Sequence, residues 1–437
     1  MLRGLVMSIF EIPYGKKVLT VDIDEKKILF FASPVKTERI PDPQLAIEES
    51  LESPIQSKKL EELVNSAMQV IIMVDDTTRP TPKKLILTSV LKRLEKAGIK
   101  KNQIKIAIGL GTHRQMTHYE IEEHIGLENI SGSELINIDY KDIDRFVDLG
   151  YSENGTPIEV YREVVESDFR IAIGNIVPHI TAGWGGGAKM IQPGVCSEKT
   201  TEVTHLMSCM LQDVMDVCGT TDNVARNEMV KIAGLVGLDF IVNTVMDEEK
   251  NILGVFSGHF EAAHLQGVEL AKKVMCPEIP EKADILIASA NPSHIDYWQG
   301  CKPYIFAQYG VKNEGVLIFV INASEGLCGN APHHKKTLVK YSKSSVDEIR
   351  NLVEEGKIDD IVGITVPLLH ASVRNRVTTI CVSEGFTKED IECLGFVYAK
   401  NLEDALLQAY ELKSKDAKIG IIPFCGETLV REKQKIY

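Results

Sequence analysis

Five side chains of this 437-residue chain stand where they can do chemistry: Arg79, His113, His179, Lys189 and His205. Arg79 lies in Asp75-Asp76-Thr77-Thr78-Arg79-Pro80-Thr81-Pro82, and its guanidinium can fork onto a carboxylate. Bracing its own loop through Asp75 or Asp76 is the equal alternative. His113 ends Gly109-Leu110-Gly111-Thr112-His113, and His179 follows Pro178. Two imidazoles near one ligand can serve as acid and base near neutral pH, though each alone is more often structural. From His179 the chain runs into Gly183-Trp184-Gly185-Gly186-Gly187-Ala188-Lys189. Bare backbone of this kind suits an anion such as phosphate, and the lysine can meet that phosphate or act as a nucleophile.

Neither common nucleotide motif accounts for this loop. A P-loop ends Gly-Lys-Ser/Thr, whereas Ala188-Lys189-Met190 offers no hydroxyl for magnesium. The spacing G-x-G-x-x-A is present, but residues 178–182 separate it from the preceding apolar run, so it is not the tight strand-to-helix turn of a dinucleotide site.

The elements that must hold these residues alternate. Val70–Val74, Ile104–Ile108 and Phe169–Ile173 are short β-branched runs, each followed by one of the three loops. Thr81 is placed to cap a helix that starts at Pro82 and carries Leu87, Val90, Leu91 and Leu94 on one face, with Gly98 as its stop. Thr117-His118-Tyr119-Glu120 is a capping box. A helix from Ser197 has Val203, Leu206, Met207 and Met210 as its apolar face; His205 falls off that face, which leaves solvent or a ligand as its neighbour. Alternation of this kind predicts an α/β chain with mainly parallel sheets and ligands outside the carboxyl ends of the strands. After Cys276-Pro277-Glu278-Ile279-Pro280-Glu281 the pattern restarts, with strands at 285–288, 316–321 and 419–422. The expected organisation is two α/β domains, 1–275 and 284–437, joined by a linker at 276–283, with the active site in the cleft between them.

A formal charge of −13 argues against nonspecific nucleic-acid binding. No apolar run approaches the roughly 20 residues that span a bilayer, and the first residues lack a signal-peptide core. Nine scattered cysteines without a C-x-x-C pair suit reduced thiols in a cytoplasmic protein. No H-x-x-x-H spacing accompanies His205, so a metal role for it has little local support. The remaining histidines read as surface or core.

Taken together, the blocks at 75–82, Gly111-Thr112-His113-Arg114, the Pro178-His179 to Lys189 loop, His205 and Tyr297-Trp298-Gln299-Gly300-Cys301-Lys302 resemble the nickel-pincer lactate racemase family of 2-hydroxy acid racemases and epimerases. The resemblance implies an isomerase with a nickel-bearing pyridinium-3,5-bisthiocarboxylic acid mononucleotide. In that reading Lys189 is the covalent attachment point and His205 the protein ligand to nickel. His113 and His179 are the acid/base pair; Arg79, Gln299 and Lys302 hold substrate; Asp76, Gly185, Gly186 and Gly187 contact the cofactor. It also implies a small 2-hydroxy acid as substrate, whether lactate, another short acid or a sugar acid, and transient contact with the proteins that build the cofactor. The glycine run departs from family members that carry Ser there. Two readings compete: a metal-dependent hydrolase using His113, His179 and His205 as ligands, and a non-catalytic hydroxy-acid-binding protein on the same scaffold.

Overall fold

In the computed structural model, which describes residues 7–211 and 213–433, the chain divides into two compact units. The middle unit comprises Lys36–Gln212 and Gly219–Lys272; the terminal unit collects Met1–Val35, Asp213–Cys218 and Lys273–Tyr437. The expected boundaries are therefore redrawn. Strand Ile28–Phe31 pairs in parallel with Ile419–Ile422, which draws the first 35 residues into the terminal unit. The expected linker is likewise tied in, since Glu278–Ile279 pairs with Arg431–Glu432 and Ile279 is fully buried.

Six strands form the sheet of the middle unit, in the order Ile252–Gly258, Phe240–Met246, Phe169–Asn175, Val70–Asp75, Ile104–Gly109, Glu134–Asn137. Only the pair at the Ile252–Gly258 edge is antiparallel. Both faces are covered, which is why strand Val70–Asp75 is buried at every position and reads as a continuous apolar run. Val70, Ile72 and Val74 enter one core with Leu87, Val90 and Leu94; Ile71 and Met73 enter the other with Met190, Met229 and Ile232.

The terminal unit has a parallel six-stranded sheet in the order Val397–Tyr398, Thr378–Val382, Val311–Val320, Ala283–Ser289, Ile419–Ile422, Ile28–Phe31. An antiparallel hairpin, Met7–Tyr14 with Lys17–Asp24, lays Ile12, Tyr14, Val21 and Ile23 into its core.

Two helices differ from expectation. The one after the first loop spans Lys83–Lys96 with Pro82 in the capping position, and Thr81 does not cap it. Its hydroxyl instead donates to Asp75 Oδ2 at 2.5 Å, because Lys83 is buried and pulls the loop inward through Nζ bonds to Asp75 Oδ1 (2.9 Å) and Asp76 O (3.0 Å). Helix Glu198–Met210 is capped by Ser197 as expected, but it buries Thr200, Thr201, Thr204, Ser208 and Cys209. Val203, Leu206, Met207 and Met210 are only partly covered. Its hydroxyls are satisfied locally: Thr201 donates to Ser197 O and Ser208 to His205 O. A self-satisfied hydroxyl face can be buried at little cost.

Candidate active site

The middle-unit candidates lie on the loops at the carboxyl ends of three adjacent strands or on the segment that follows them. Past Val70–Asp75, Asp75 is committed to Lys83 and Thr81, and burial raises its carboxyl against the pull of that ammonium. Asp76 behaves oppositely. Burial would raise it too, but the His113 ring and the Thr78 hydrogen bonds outweigh burial and hold it well below the usual carboxylate range. Its Oδ1 accepts from Thr78 N (3.0 Å) and Thr78 Oγ1 (2.5 Å), and its Oδ2 lies 2.7 Å from His113 Nδ1. Both oxygens of this predicted cofactor contact are thus engaged within the protein. Arg79 is partly buried, with its Nη1 donating to Thr78 O and Thr78 Oγ1.

His113 reaches Asp76 because the loop after Ile104–Gly109 turns sharply. His113 N bonds back to Leu110 O at 3.0 Å, and Gly111 N bonds to Gly194 O at 3.0 Å. That second bond docks the loop on the segment just past Lys189. The imidazole stays 24% exposed, enough to meet a ligand.

His179 sits in a two-residue hairpin with Gly183 and Trp184. Its Nδ1 accepts from the main-chain N–H of Thr181 (3.2 Å) and Ala182 (3.3 Å). The glycine loop that follows is largely buried, and the protein itself supplies a sufficient reason for its glycines. Gly183, Gly186 and Gly187 all have positive φ. A Cβ would fall 2.0 Å from Thr220 O at Gly183, 2.7 Å from Asn243 Oδ1 at Gly186 and 2.8 Å from the His264 ring at Gly187.

What holds the loop comes from residues that sequence reading passed over. Arg226, 3% exposed, donates to Ala182 O (3.1 Å), Gly186 O (3.4 Å) and Trp184 O. Burial lowers its guanidinium to about 10, which still leaves it charged at neutral pH. His264 Nε2 donates to Gly185 O at 2.8 Å; burial, then the Arg226 charge, push its imidazole down to about 3. Asn243 Oδ1 accepts from Gly187 N at 2.8 Å. The carbonyls of Ala182, Trp184, Gly185 and Gly186 thus each accept from Arg226 or His264. Arg226 and His264 sit in or near ordinary amphipathic helices, so nothing local in the sequence marks them.

Lys189 lies in the short 3-10 turn Gly187–Met190 and is partly buried. Just beyond it, Gln192 Nε2 donates to Thr204 Oγ1 at 2.6 Å, which ties this segment to the helix bearing His205. His205 Nδ1 is 3.0 Å from Thr201 O; a carbonyl only accepts, so that nitrogen carries the proton and Nε2 keeps its lone pair. Among the described residues no three His, Cys, Asp or Glu side chains gather as a metal-holding group. The three-histidine set of the hydrolase reading is not assembled.

In the terminal unit, Gln299 and Lys302 occupy the first turns of helix Tyr297–Ala307, whose cap Asp296 accepts from Gln299 N (2.8 Å) and Asn330 N (2.7 Å). Beside them is a second imidazole–carboxylate pair. His334 Nδ1 is 2.8 Å from Asp360 Oδ1, and the His334 ring stacks on Trp298 with centroids 4.5 Å apart. Sequence reading left His334 among the surface or core histidines; it is core.

Two α/β units with chemical side chains at the carboxyl edges of their sheets, and a histidine fixed by an ionised aspartate on one of them, define an enzyme fold with acid–base equipment. The model of the lactate racemase N-terminal domain matches residues 14–216, and that of the lactate racemase C-terminal domain matches 279–428. The chain belongs to the lactate racemase family of isomerases. A lactate racemase of Thermoanaerobacterium thermosaccharolyticum is 27% identical over 431 residues, covering 98% of this chain and 100% of that protein. One from Lactiplantibacillus plantarum is 28% identical over 422 residues, covering 95% and 98%. The solved lactate racemase apoprotein from T. thermosaccharolyticum superposes with a TM-score of 0.88 at 26% identity, over 97% of this chain and all of that one. A Thermotoga maritima crystal structure shares the fold, with a TM-score of 0.72 at 19% identity over 91% of this chain and all of that one. No helix among the described residues is long and apolar enough to cross a membrane.

Proposed function

We propose that this chain inverts the C2 stereocentre of a small 2-hydroxy acid, lactate or a close relative, in the cytoplasm. The observation that carries the reading is the Asp76–His113 pair. An ionised carboxylate fixes the proton on Nδ1, so Nε2 is left to accept a hydroxyl proton. His179 provides a second imidazole at the exit of Phe169–Asn175, on the other side of Val70–Asp75 from the strand that leads to His113. Arg79 binds the substrate carboxylate, and Gln299 and Lys302 add substrate contacts. Holding the acid by several groups keeps the intermediate keto acid from leaving before it is reduced again.

The residues fit the nickel-pincer nucleotide. Among the described residues no cluster of His, Cys, Asp or Glu could hold a metal, so a nickel on His205 would draw further ligands from a non-protein group, and two sulfurs and a carbon are such a set. His205 Nε2 is the ligand atom, Lys189 the attachment point, and the glycine loop with Asp76 the neighbours of the nucleotide. When bound, the group supplies an acceptor for the C2 hydrogen as hydride, which avoids asking a histidine to remove a very weakly acidic C–H proton.

The test is incubation of the chain, co-expressed with the cofactor-synthesis proteins, with enantiopure lactate deuterated at C2. The opposite enantiomer should retain most of its deuterium at early conversion; extensive washout would reject hydride transfer. Intact-mass analysis should also show an adduct that Lys189→Ala loses, a readout that needs no turnover. An adduct of equal mass in that variant would reject the attachment.

A further inference from the structure

We propose that the two acid/base histidines stand in opposite tautomers in the resting protein, so that in that state His113 can accept the substrate's hydroxyl proton and His179 cannot. The proposal rests on the acid–base reading above and deepens it. At His113, Nδ1 faces a carboxylate oxygen at 2.7 Å. An ionised carboxylate only accepts, so the ring proton is on Nδ1 and the lone pair is on Nε2. At His179 the same ring atom has the opposite kind of neighbour. Main-chain N–H groups of Thr181 and Ala182 point at Nδ1 from 3.2 and 3.3 Å, and an N–H only donates. The Thr181 hydroxyl, 3.2 Å away, can donate there as well. Nδ1 of His179 must therefore accept, which puts the proton of the neutral ring on Nε2.

The consequence is chemical. A neutral imidazole with its proton on Nε2 can donate a hydrogen bond to a hydroxyl or ketone oxygen, but it has no lone pair there to take a proton. Losing that proton would create an imidazolate. In the forward half-reaction the substrate O–H proton passes to His113 Nε2 while the C2–H electron pair leaves with its hydrogen as hydride to a pyridinium-class acceptor. The substrate becomes a keto acid, and His113 an imidazolium. Return of the hydride to C2 and of the His113 proton to oxygen regenerates the starting enantiomer. When the oxygen has turned to His179, Nε2–H supplies its proton and the His113 proton passes through solvent to His179 Nδ1, which leaves both rings neutral with His179 in its Nδ1–H form. An enantiomer whose hydroxyl faces His179 cannot be deprotonated in this form. Its turn requires the His179 proton to move to Nδ1, which breaks both main-chain hydrogen bonds and rearranges residues 179–182. Because the equilibrium constant of a racemisation is one, kcat/KM must be equal for the two hands. The asymmetry is visible only as a split, with kcat and KM both larger for one enantiomer.

The experiment is a long-range proton–nitrogen correlation spectrum of the full chain labelled with 15N-histidine, before and after cofactor loading. His113→Gln and His179→Gln assign the two rings; if either variant fails to fold, through-space contacts to the Thr181 methyl identify His179 in the unaltered chain. The expected result is Nδ1–H for His113 and Nε2–H for His179. Asp76→Asn should release the His113 tautomer, leave that of His179 unchanged and lower kcat about 10²-fold or more. One tautomer for both rings, Nδ1–H on His179, or a response of both rings to Asp76→Asn would overturn the proposal. The spectrum needs no substrate, so opposite tautomers in a protein that racemises no 2-hydroxy acid would support this assignment while rejecting the functional reading.

Discussion

Each unit contains a histidine held by an aspartate at nearly the same distance, 2.7 Å for His113–Asp76 and 2.8 Å for His334–Asp360, yet the two pairs sit in different surroundings. The His113 side chain is 24% exposed and that of His334 1%. Around His334 the ring is stacked on Trp298, and its Nε2 is buried with no hydrogen-bond partner among the described residues. Both aspartates are also gripped by a threonine hydroxyl, from Thr78 in one case and Thr337 in the other. Burial raises Asp360, but the hydrogen bonds of His334 and Thr337 outweigh it and leave the carboxyl below its ordinary value, as His113, Arg79 and Thr78 do for Asp76. The pairing alone therefore does not define a catalytic base. Access to a ligand separates a working pair from a brace.

The sharpest way to break this comparison is to remove each imidazole. His113→Gln should lower kcat by about 10²–10⁴-fold, since it removes the proposed acid/base group, and should also cost about 1–3 kcal/mol because it takes a partner from the buried Asp76 carboxylate. His334→Gln should instead leave kcat per folded molecule within a few-fold while lowering stability by about 1–3 kcal/mol, through loss of the buried ring and of its bond to the partly buried Asp360. Loss of turnover in a folded His334→Gln protein would place the terminal unit's pair at the chemistry as well. Arg226→Met should cost about 1–3 kcal/mol in urea unfolding, because Trp184 O loses its donor while Ala182 O and Gly186 O keep only the main-chain N–H of Trp184 and Lys189, and it should lower the yield of the proposed Lys189 adduct.

Acid separates the units in a different way. His264 in the middle unit and His370 in the terminal unit are both pushed down to about 3, chiefly by burial. Between about pH 6.5 and 3 the unfolded chain takes up a proton at each that the folded chain refuses, so stability falls as pH falls through that window and is flat above it. Each group should contribute about 1.4 kcal/mol per pH unit once well below 6.5. His264→Gln and His370→Gln should each flatten the acid limb, the first for the middle unit and the second for the terminal one. The smallest effects are expected from the threonines. Thr337→Val should cost about 1 kcal/mol of stability without changing kcat, and Thr78→Val should lower kcat a few-fold at nearly unchanged stability.

Legibility in the sequence followed locality. The strands Val70–Asp75, Ile104–Gly109 and Phe169–Asn175 and their exit loops are contiguous signals, and they locate Arg79, His113 and His179 at one edge of one sheet. The capping box at Thr117 is equally local and is present. Thr81 misled because the burial of Lys83, two residues on, depends on Asp75 across the loop. The helix bearing His205 misled because hydrophobicity was taken as burial, whereas Thr200, Thr201 and Thr204 are accommodated by polar partners such as Gln192 Nε2 and Glu159 N. The Asp76–His113 contact spans 37 positions and Arg226–Ala182 spans 44, and no pattern in either segment announces the other.

The placement of Ile28–Phe31 beside Ile419–Ile422 has a consequence for how the chain is made. The strand Ile-Leu-Phe-Phe is translated several hundred residues ahead of Ile419–Ile422, its sheet partner among the described residues. At ordinary rates of translation the interval is on the order of tens of seconds, long enough for the middle unit to fold around its own sheet in the meantime. Throughout that interval an apolar edge strand has nothing to pair with except another copy or a chaperone. The terminal unit's sheet can therefore be completed only after residues 419–422 are made, and a chain truncated before residue 419 lacks the strand that Ile28–Phe31 pairs with.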